Sequence, residues 1–430
     1  MEVKGAFISN YDFVSSPSRL LRAAIHKKLD DLNEGCLELI DEFGEHEINA
    51  GISQLHARVT VNSNRFYRML AFGGALGAGE SYINGDWDTP DLVSLFRILL
   101  RNRSILENFE SGFSIVQKGI EGLKHLRRRN TVLGSRKNIE AHYDLSNEMF
   151  ELWLDKSLMY SCAFYEKPDD DLDKASINKM ERICRKLQLK ATDEVMEIGT
   201  GWGGLAIYMA ENYGCNVTTT TVSKQQYEYV KAKLKSCNLC HKVTVLKSDY
   251  RKLTGNFDKL VSVEMIEAVG ADYLNEYIET CSRLLKKNGL FLLQAITIQD
   301  QLFDEAVKEI DFIKRFIFPG SFIPSIHAII SACKTSSDLK LLNMEDIGLH
   351  YARTLEDWRK RFHRNKQEIR KLGFDEHFFR MWDYYFCYCI GGFLERSIGN
   401  AHMLFAKPDY RGDLSPFSTW QWEANYANRN

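Results

Sequence analysis

Residues Val195–Gly204 read V-M-E-I-G-T-G-W-G-G. A short, mostly apolar run carrying one acid opens into a glycine turn, and an amphipathic stretch, Leu205–Tyr213, follows. The pattern predicts a strand, a tight turn and a helix. Glycines let the backbone come close to a ligand, and the helix N-terminus offers it free N–H groups. The same alternation continues downstream. Candidate strands are Glu194–Ile198, Asn216–Thr221, Lys242–Lys247, Lys259–Val263 and Leu290–Ile296. Helical periodicity lies between them at Leu205–Tyr213, Lys224–Cys237 and Tyr273–Leu285. That succession implies an α/β fold with a parallel sheet covered on both faces, and ligands at the carboxyl ends of its strands.

A chain of 430 residues with 44% hydrophobic content exceeds one ordinary core, so two domains are expected. Ser18–Leu32 has apolar residues at helical spacing, accompanied by Arg19, Arg22, Lys27 and Lys28. Such a helix either docks on its own domain or lies on an anionic membrane. Short alternating stretches in His46–Asn62 suggest strands, and Arg65–Leu76 and Thr89–Arg101 suggest helices. Ser111–Lys137 holds seven Lys or Arg against one acid, Glu121. It reads as a linker with a solvated basic face, or as a contact for anionic lipid. The expected division is a small α+β domain over 1–110, a basic linker over 111–137 and a catalytic domain over 138–430.

A net charge of −2 argues against a nucleic-acid partner. The ten cysteines show no framework spacing, no export signal is apparent, and no apolar run is long enough to span a bilayer. A cytoplasmic protein is expected. Cys237–His241 spells C-x-x-C-H, the haem-attachment pattern, but it falls at a predicted helix end and reads as a chance match. No metal site is expected.

Gly199, Gly201 and Gly204 also satisfy the dinucleotide spacing G-x-G-x-x-G, which leaves that cofactor open. The next strand, however, ends in Thr218–Thr221 rather than in the acid a dinucleotide ribose requires. Asp249 and Tyr250 follow the third strand, and a carboxylate beside an aromatic ring suits an adenine. By itself Asp249 reads as a turn residue.

Four segments then occur in order: Tyr160–Cys162 (Y-S-C), the G-T-G-W-G-G loop, Val261–Gly270 (V-S-V-E-M-I-E-A-V-G) and Phe316–Gly320 (F-I-F-P-G). With Arg65–Trp87 and His142–Phe150, they closely resemble cyclopropane-fatty-acyl-phospholipid synthases over nearly the whole chain. The resemblance implies a Rossmann-like class I methyltransferase domain with a small N-terminal lipid-docking domain. It implies S-adenosylmethionine contacts at Tyr160, Ser161, Glu197, Gly199, Gly201, Trp202, Gly203, Thr221, Gln226, Asp249 and Tyr250. It also implies a bound bicarbonate serving as base, held by Cys162, Glu267, Gln294, Ile296 and Tyr351. Cys389 matches a cysteine assigned to the active site, although the chemistry gives no need for a thiolate, and a pocket-lining role is expected.

The implied reaction adds the methyl carbon of S-adenosylmethionine across a cis alkene of a phospholipid acyl chain. No protein nucleophile is required. The carbocation that follows must be kept from water and must lose a proton to a base. Tyr143, Tyr160, Phe164 and Tyr351 are candidates for aromatic shelter, or plain core. The chain departs from the bacterial pattern at Gln294, which replaces a histidine, and at Ala268. Glutamine can donate to an anion but cannot shuttle a proton. The resemblance further implies a homodimer, attached peripherally to the inner face of a membrane containing unsaturated phospholipid. Competing expectations are a C-methyltransferase giving branched chains, a small-molecule N-methyltransferase, and an inactive lipid-binding homologue.

Overall fold

The computed structural model describes residues 15–49, 55–104 and 146–412. The basic linker at 111–137, Tyr143 and the start of the His142–Phe150 motif lie outside them. The chain forms two compact units.

The first unit contains a four-stranded sheet, ordered β2-β1-β3-β4, from β1 (Cys36–Asp41), β2 (Gly44–Ile48), β3 (His56–Val61) and β4 (Trp87–Asp88). β3 alternates as a half-buried strand must, with Ala57, Val59 and Val61 inward and His56 and Arg58 outward. Helix Ser15–Leu29 docks on this sheet: Ile25 and Leu29 are buried, Arg22 donates to Asp41 at 2.5 Å, and Arg19 lies over the Phe43 ring. Leu20, by contrast, is 71% exposed.

Helices Arg65–Ile83 and Leu92–Arg101 follow, the latter capped by Asp91, which accepts from the Ser94 N–H. The predicted boundary at 138 does not describe this unit fully. Residues 310–317 and 366–397 belong to it as well. Helix Glu376–Leu394 is rich in aromatic residues, and Tyr384 meets Phe96 edge-on at 4.9 Å. Arg380 donates to the Tyr82 and Trp87 carbonyls and to Asp88, and Arg97 and Arg101 both pair with Glu395. A short sheet with few helices cannot bury enough apolar surface, and this late helix supplies the missing face.

The second unit holds a seven-stranded sheet, ordered β10-β11-β9-β8-β5-β6-β7. β5 (Glu194–Ile198), β6 (Asn216–Thr221), β7 (Val243–Lys247), β8 (Phe257–Val263) and β9 (Leu285–Ile298) are the expected strands, and they run parallel. β10 (Lys340–Asp346) and β11 (Ile398–Ala406) extend the sheet in antiparallel pairing, so it is mixed rather than wholly parallel. Period-two alternation sends successive side chains to opposite layers. Met196, Phe291 and Leu293 join a core with helices Leu274–Leu284 and Ile326–Ser336. Val195, Leu292 and Leu404 join another with helices Leu172–Leu187, Gly204–Tyr213 and Lys224–Ser236.

Candidate functional site

β5 ends at Ile198 and the glycine turn begins. Gly199, Gly201 and Gly203 have φ of 103°, 52° and 81°, all in the region that favours glycine. The Gly199 and Thr200 N–H groups donate to the Thr220 carbonyl, which fastens the turn to β6. A Cβ on Gly201 would meet no protein atom within 4 Å, so this turn leaves room beside the strand ends. At Gly204 a Cβ would lie 2.6 Å from the Ser157 carbonyl oxygen, so close chain packing excludes any side chain there.

One pocket brings together Tyr160–Ser161, Glu197, Gly199–Trp202, Thr221, Gln226 and Asp249–Tyr250. Of the predicted cofactor residues only Gly203 is off its wall; it caps the following helix in a left-handed conformation. Thr221 donates its hydroxyl to the Gln226 carbonyl oxygen at 2.8 Å. The Tyr250 hydroxyl is buried without a hydrogen-bond partner. Asp249 gives its oxygens to Arg251 at 2.8 and 2.7 Å; burial opposes its charge, but those bonds hold it below the usual carboxylate range. Glu197 is buried, which raises its carboxyl to about 8, opposed by the Thr219 hydroxyl that donates to it at 2.5 Å. These polar groups and the open turn fit the adenosine and charged tail of S-adenosylmethionine. Phe150, Trp153 and Trp358 surround the Tyr160 ring at 5.2–5.5 Å and hold it in place, and Tyr160, Trp202 and Tyr250 are the aromatic residues of the pocket wall.

Beside this pocket the expected anion site takes an unexpected form. Four donors converge on Glu264, a residue that the sequence motifs did not single out. Tyr351 Oη donates to its Oε2 at 2.7 Å, and Gln294 Nε2, Asn400 Nδ2 and the Cys162 N–H donate to its Oε1 at 2.8, 2.7 and 3.0 Å. Ile296 N–H, the remaining predicted donor, instead binds Glu267 Oε1 at 2.6 Å, and Glu267 Oε2 is buried without a partner. The predicted residues therefore meet as expected, but their donors are directed at two carboxylates of the chain itself. A bicarbonate would have to displace Glu264 and lie against Glu267. The residues do not fit it.

Glu264 also has φ of 47°, a left-handed backbone that costs a non-glycine residue roughly 1–2 kcal/mol. This conformation, directly after β8, turns its side chain back among the donors. Burial raises the Glu264 carboxyl while the hydrogen bonds from Tyr351, Cys162 and Gln294 and the charge of Lys179 oppose the shift. Burial and the charge of Glu264 raise Glu267 to about 8. Lys179, also missed from sequence, is fully buried and donates to Ser161 Oγ at 2.8 Å; burial lowers it to about 8.

Gln294 is oriented by another missed residue. His402 stands opposite it in the β9–β11 register, and its Nε2 lies 2.9 Å from Gln294 Oε1. Gln294 Nε2 faces only acceptors, Glu264 and the Cys162 carbonyl, so the amide oxygen faces His402 and that ring nitrogen carries the proton.

Cys162 contributes its backbone; burial drives its thiol well above the ordinary range. Cys389 lies on helix Glu376–Leu394 of the first unit and is absent from the pocket wall. Burial raises its thiol too, which is unsuited to a nucleophile. Phe164 stacks with His350 and under Arg182 rather than lining the pocket. Cys237 caps a helix end and Cys240 is exposed, and no metal-binding cluster occurs among the described residues.

Residues 132–403 match the family described as mycolic acid cyclopropane synthetase. The cyclopropane-fatty-acyl-phospholipid synthase of Escherichia coli (strain K12) is 34% identical over 82% of this chain and 88% of its own length. Tuberculostearic acid methyltransferase UfaA1 of Mycobacterium tuberculosis is 31% identical over 76% of this chain and 77% of its own. The mycolic acid cyclopropane synthase CmaA1, solved with SAH and CTAB, superposes with a TM-score of 0.59 at 28% identity, over 63% of this chain and 98% of that one. Coclaurine N-methyltransferase, at 20% identity and a TM-score of 0.57, shares the fold. With that pocket at the strand ends and these similarities across most of its length, the chain is an S-adenosylmethionine-dependent methyltransferase that belongs to the mycolic acid cyclopropane synthetase family.

Proposed function

We propose that this enzyme converts cis double bonds in phospholipid acyl chains to cyclopropane rings. The observation that supports this most is a pair of half-buried glutamates, Glu264 and Glu267, beside a methyl-donor pocket lined by Tyr160, Trp202 and Tyr250. S-adenosylmethionine supplies an electrophilic methyl group on a sulfonium. Transfer to an alkene leaves a carbocation on the acyl chain, and ring closure needs a proton acceptor where water is excluded. The Tyr160, Trp202 and Tyr250 rings on the pocket wall exclude water and offer aromatic shelter to that charge. An amine N-methyltransferase needs neither a cation shelter nor such a carboxylate pair.

The substrate resides in a bilayer, and exposing an acyl chain to water costs about 0.8 kcal/mol per CH₂. Peripheral attachment at the inner membrane face is therefore part of the proposal, with the first unit docking to lipid and pairing with a second copy. The exposed Leu20 on a basic helix is consistent with it. No helix among the described residues is long and apolar enough to cross a membrane. The similarity to UfaA1 favours a second reading, in which the same cation yields a methyl- or methylene-branched chain.

The test is incubation of the protein with labelled S-adenosylmethionine and vesicles of unsaturated phospholipid. Label should enter the acyl chains, and NMR of the product distinguishes a ring from a branch. Label-free lipid across head groups and chain lengths would refute the proposal.

A further inference from the structure

We infer that Glu264 is the built-in base of this reaction and takes the place of a free anion. The inference rests on the proposed alkylation of an alkene. Its carboxylate occupies the donor cradle formed by Tyr351, Gln294, Cys162 and Asn400. It also lines the methyl-donor pocket, together with Met265 and Ala268. Oε1 accepts three of the four hydrogen bonds, whereas Oε2 accepts only that of Tyr351. An oxygen of a carboxylate has two acceptor sites, so Oε2 keeps one for a proton.

The backbone supports a function for this side chain. A glutamate with φ of 47° departs from the conformation its residue type prefers, and such departures persist where the surroundings hold them. Here four hydrogen bonds hold it. Glu267 differs: its Oε2 is unpartnered and its carboxyl is raised to about 8, so near neutral pH it keeps its proton, whereas four donors face the carboxylate of Glu264. Two buried carboxyls in one site divide the roles in this way because both cannot readily carry charge.

The alkene π-pair forms the new carbon–carbon bond, and the pair of the sulfur–carbon bond leaves with sulfur. Glu264 Oε2 then takes a proton from the transferred methyl group. The released C–H pair forms the third ring bond and discharges the cation. Glu264 holds the proton as a carboxylic acid until product leaves and solvent removes it.

The experiment compares the full-length enzyme in buffer stripped of carbon dioxide with the same buffer containing millimolar bicarbonate. Wild-type product formation should agree within about twofold between the two. Glu264→Gly suits the left-handed backbone and keeps the fold, which calorimetry of S-adenosylmethionine binding verifies. Its rate should fall by about 10²–10⁴ in stripped buffer. Formate or bicarbonate, entering the emptied cradle, should restore part of it saturably.

A wild-type enzyme that needs added bicarbonate would overturn the inference while leaving the proposed reaction intact. So would a Glu264→Gly enzyme at full rate in stripped buffer. No alkylated lipid from wild type in either buffer would refute the reaction and this inference with it.

Discussion

Gln294 is held at both ends of its amide, by His402 at 2.9 Å and by Glu264 at 2.8 Å. Gln294→Met, close in size, should leave the buried His402 ring N–H unpaired and remove one of the three donors at Glu264 Oε1. The expected loss is about 1–3 kcal/mol of stability, read by chemical denaturation. From sequence this glutamine is only a departure from a pattern, because its partners are 30 and 108 residues away.

Glu267 predicts a pH dependence. Its folded-state pKa, about 8, lies above the ordinary 4.5, so the folded protein holds a proton that the unfolded chain releases. The contribution is fully present below pH 4.5 and is lost as pH rises to about 8. Glu267→Gln should therefore raise the melting temperature relative to wild type at pH 8.5 but leave it nearly unchanged near pH 4.5. Glu197, raised for the same reason, keeps part of the slope in that variant. Equal melting-temperature differences at both pH values would contradict the assigned burial.

The strand–turn–helix at Glu194–Tyr213 was the most legible element. Its strand bounds agree with the sequence expectation, and its helix begins one residue earlier, at Gly204. The signals that reveal it are local: a glycine turn, a left-handed cap and an apolar strand. The Gly204→Ala substitution would place a Cβ 2.6 Å from the Ser157 carbonyl oxygen. Backbone has to move, and we expect a loss of about 1–3 kcal/mol together with weaker S-adenosylmethionine binding, measured by thermal melting and calorimetry. β11 was illegible for the opposite reason. Its sequence, I-G-N-A-H-M-L-F-A, carries Gly, Asn and His in a strand buried on both faces. Asn400 and His402 there serve Glu264 and Gln294 rather than strand propensity.

For the whole molecule, length and composition suggest more than one core, but chain order conceals how the smaller unit is completed. Helix Glu376–Leu394, with Trp382 and Phe386 buried, lies about 300 residues after the helices Arg65–Ile83 and Leu92–Arg101 on which it packs, as the Tyr82–Asp383 contact across 301 positions illustrates. An isolated fragment of residues 1–137 should therefore lack a cooperative melt and dispersed NMR amide signals. A well-folded fragment would show that the late helix is dispensable.

The sequence by itself determined the parallel strand–helix core and the glycine turn. These follow from periodicity and backbone conformation, which act over a few positions. The residues expected around the methyl donor came from the resemblance of its motifs. The resemblance of its motifs also brought Glu267, Gln294, Tyr351, Cys162 and Ile296 into one expected site. Only the tertiary structure decided what those donors hold. Glu264 enters the cradle because β8 ends in a left-handed turn while β9, β11 and the Tyr351 helix close around it. Hydrogen bonds between distant segments leave no period in the sequence, so the carboxylate at the centre of the site became visible only in the fold.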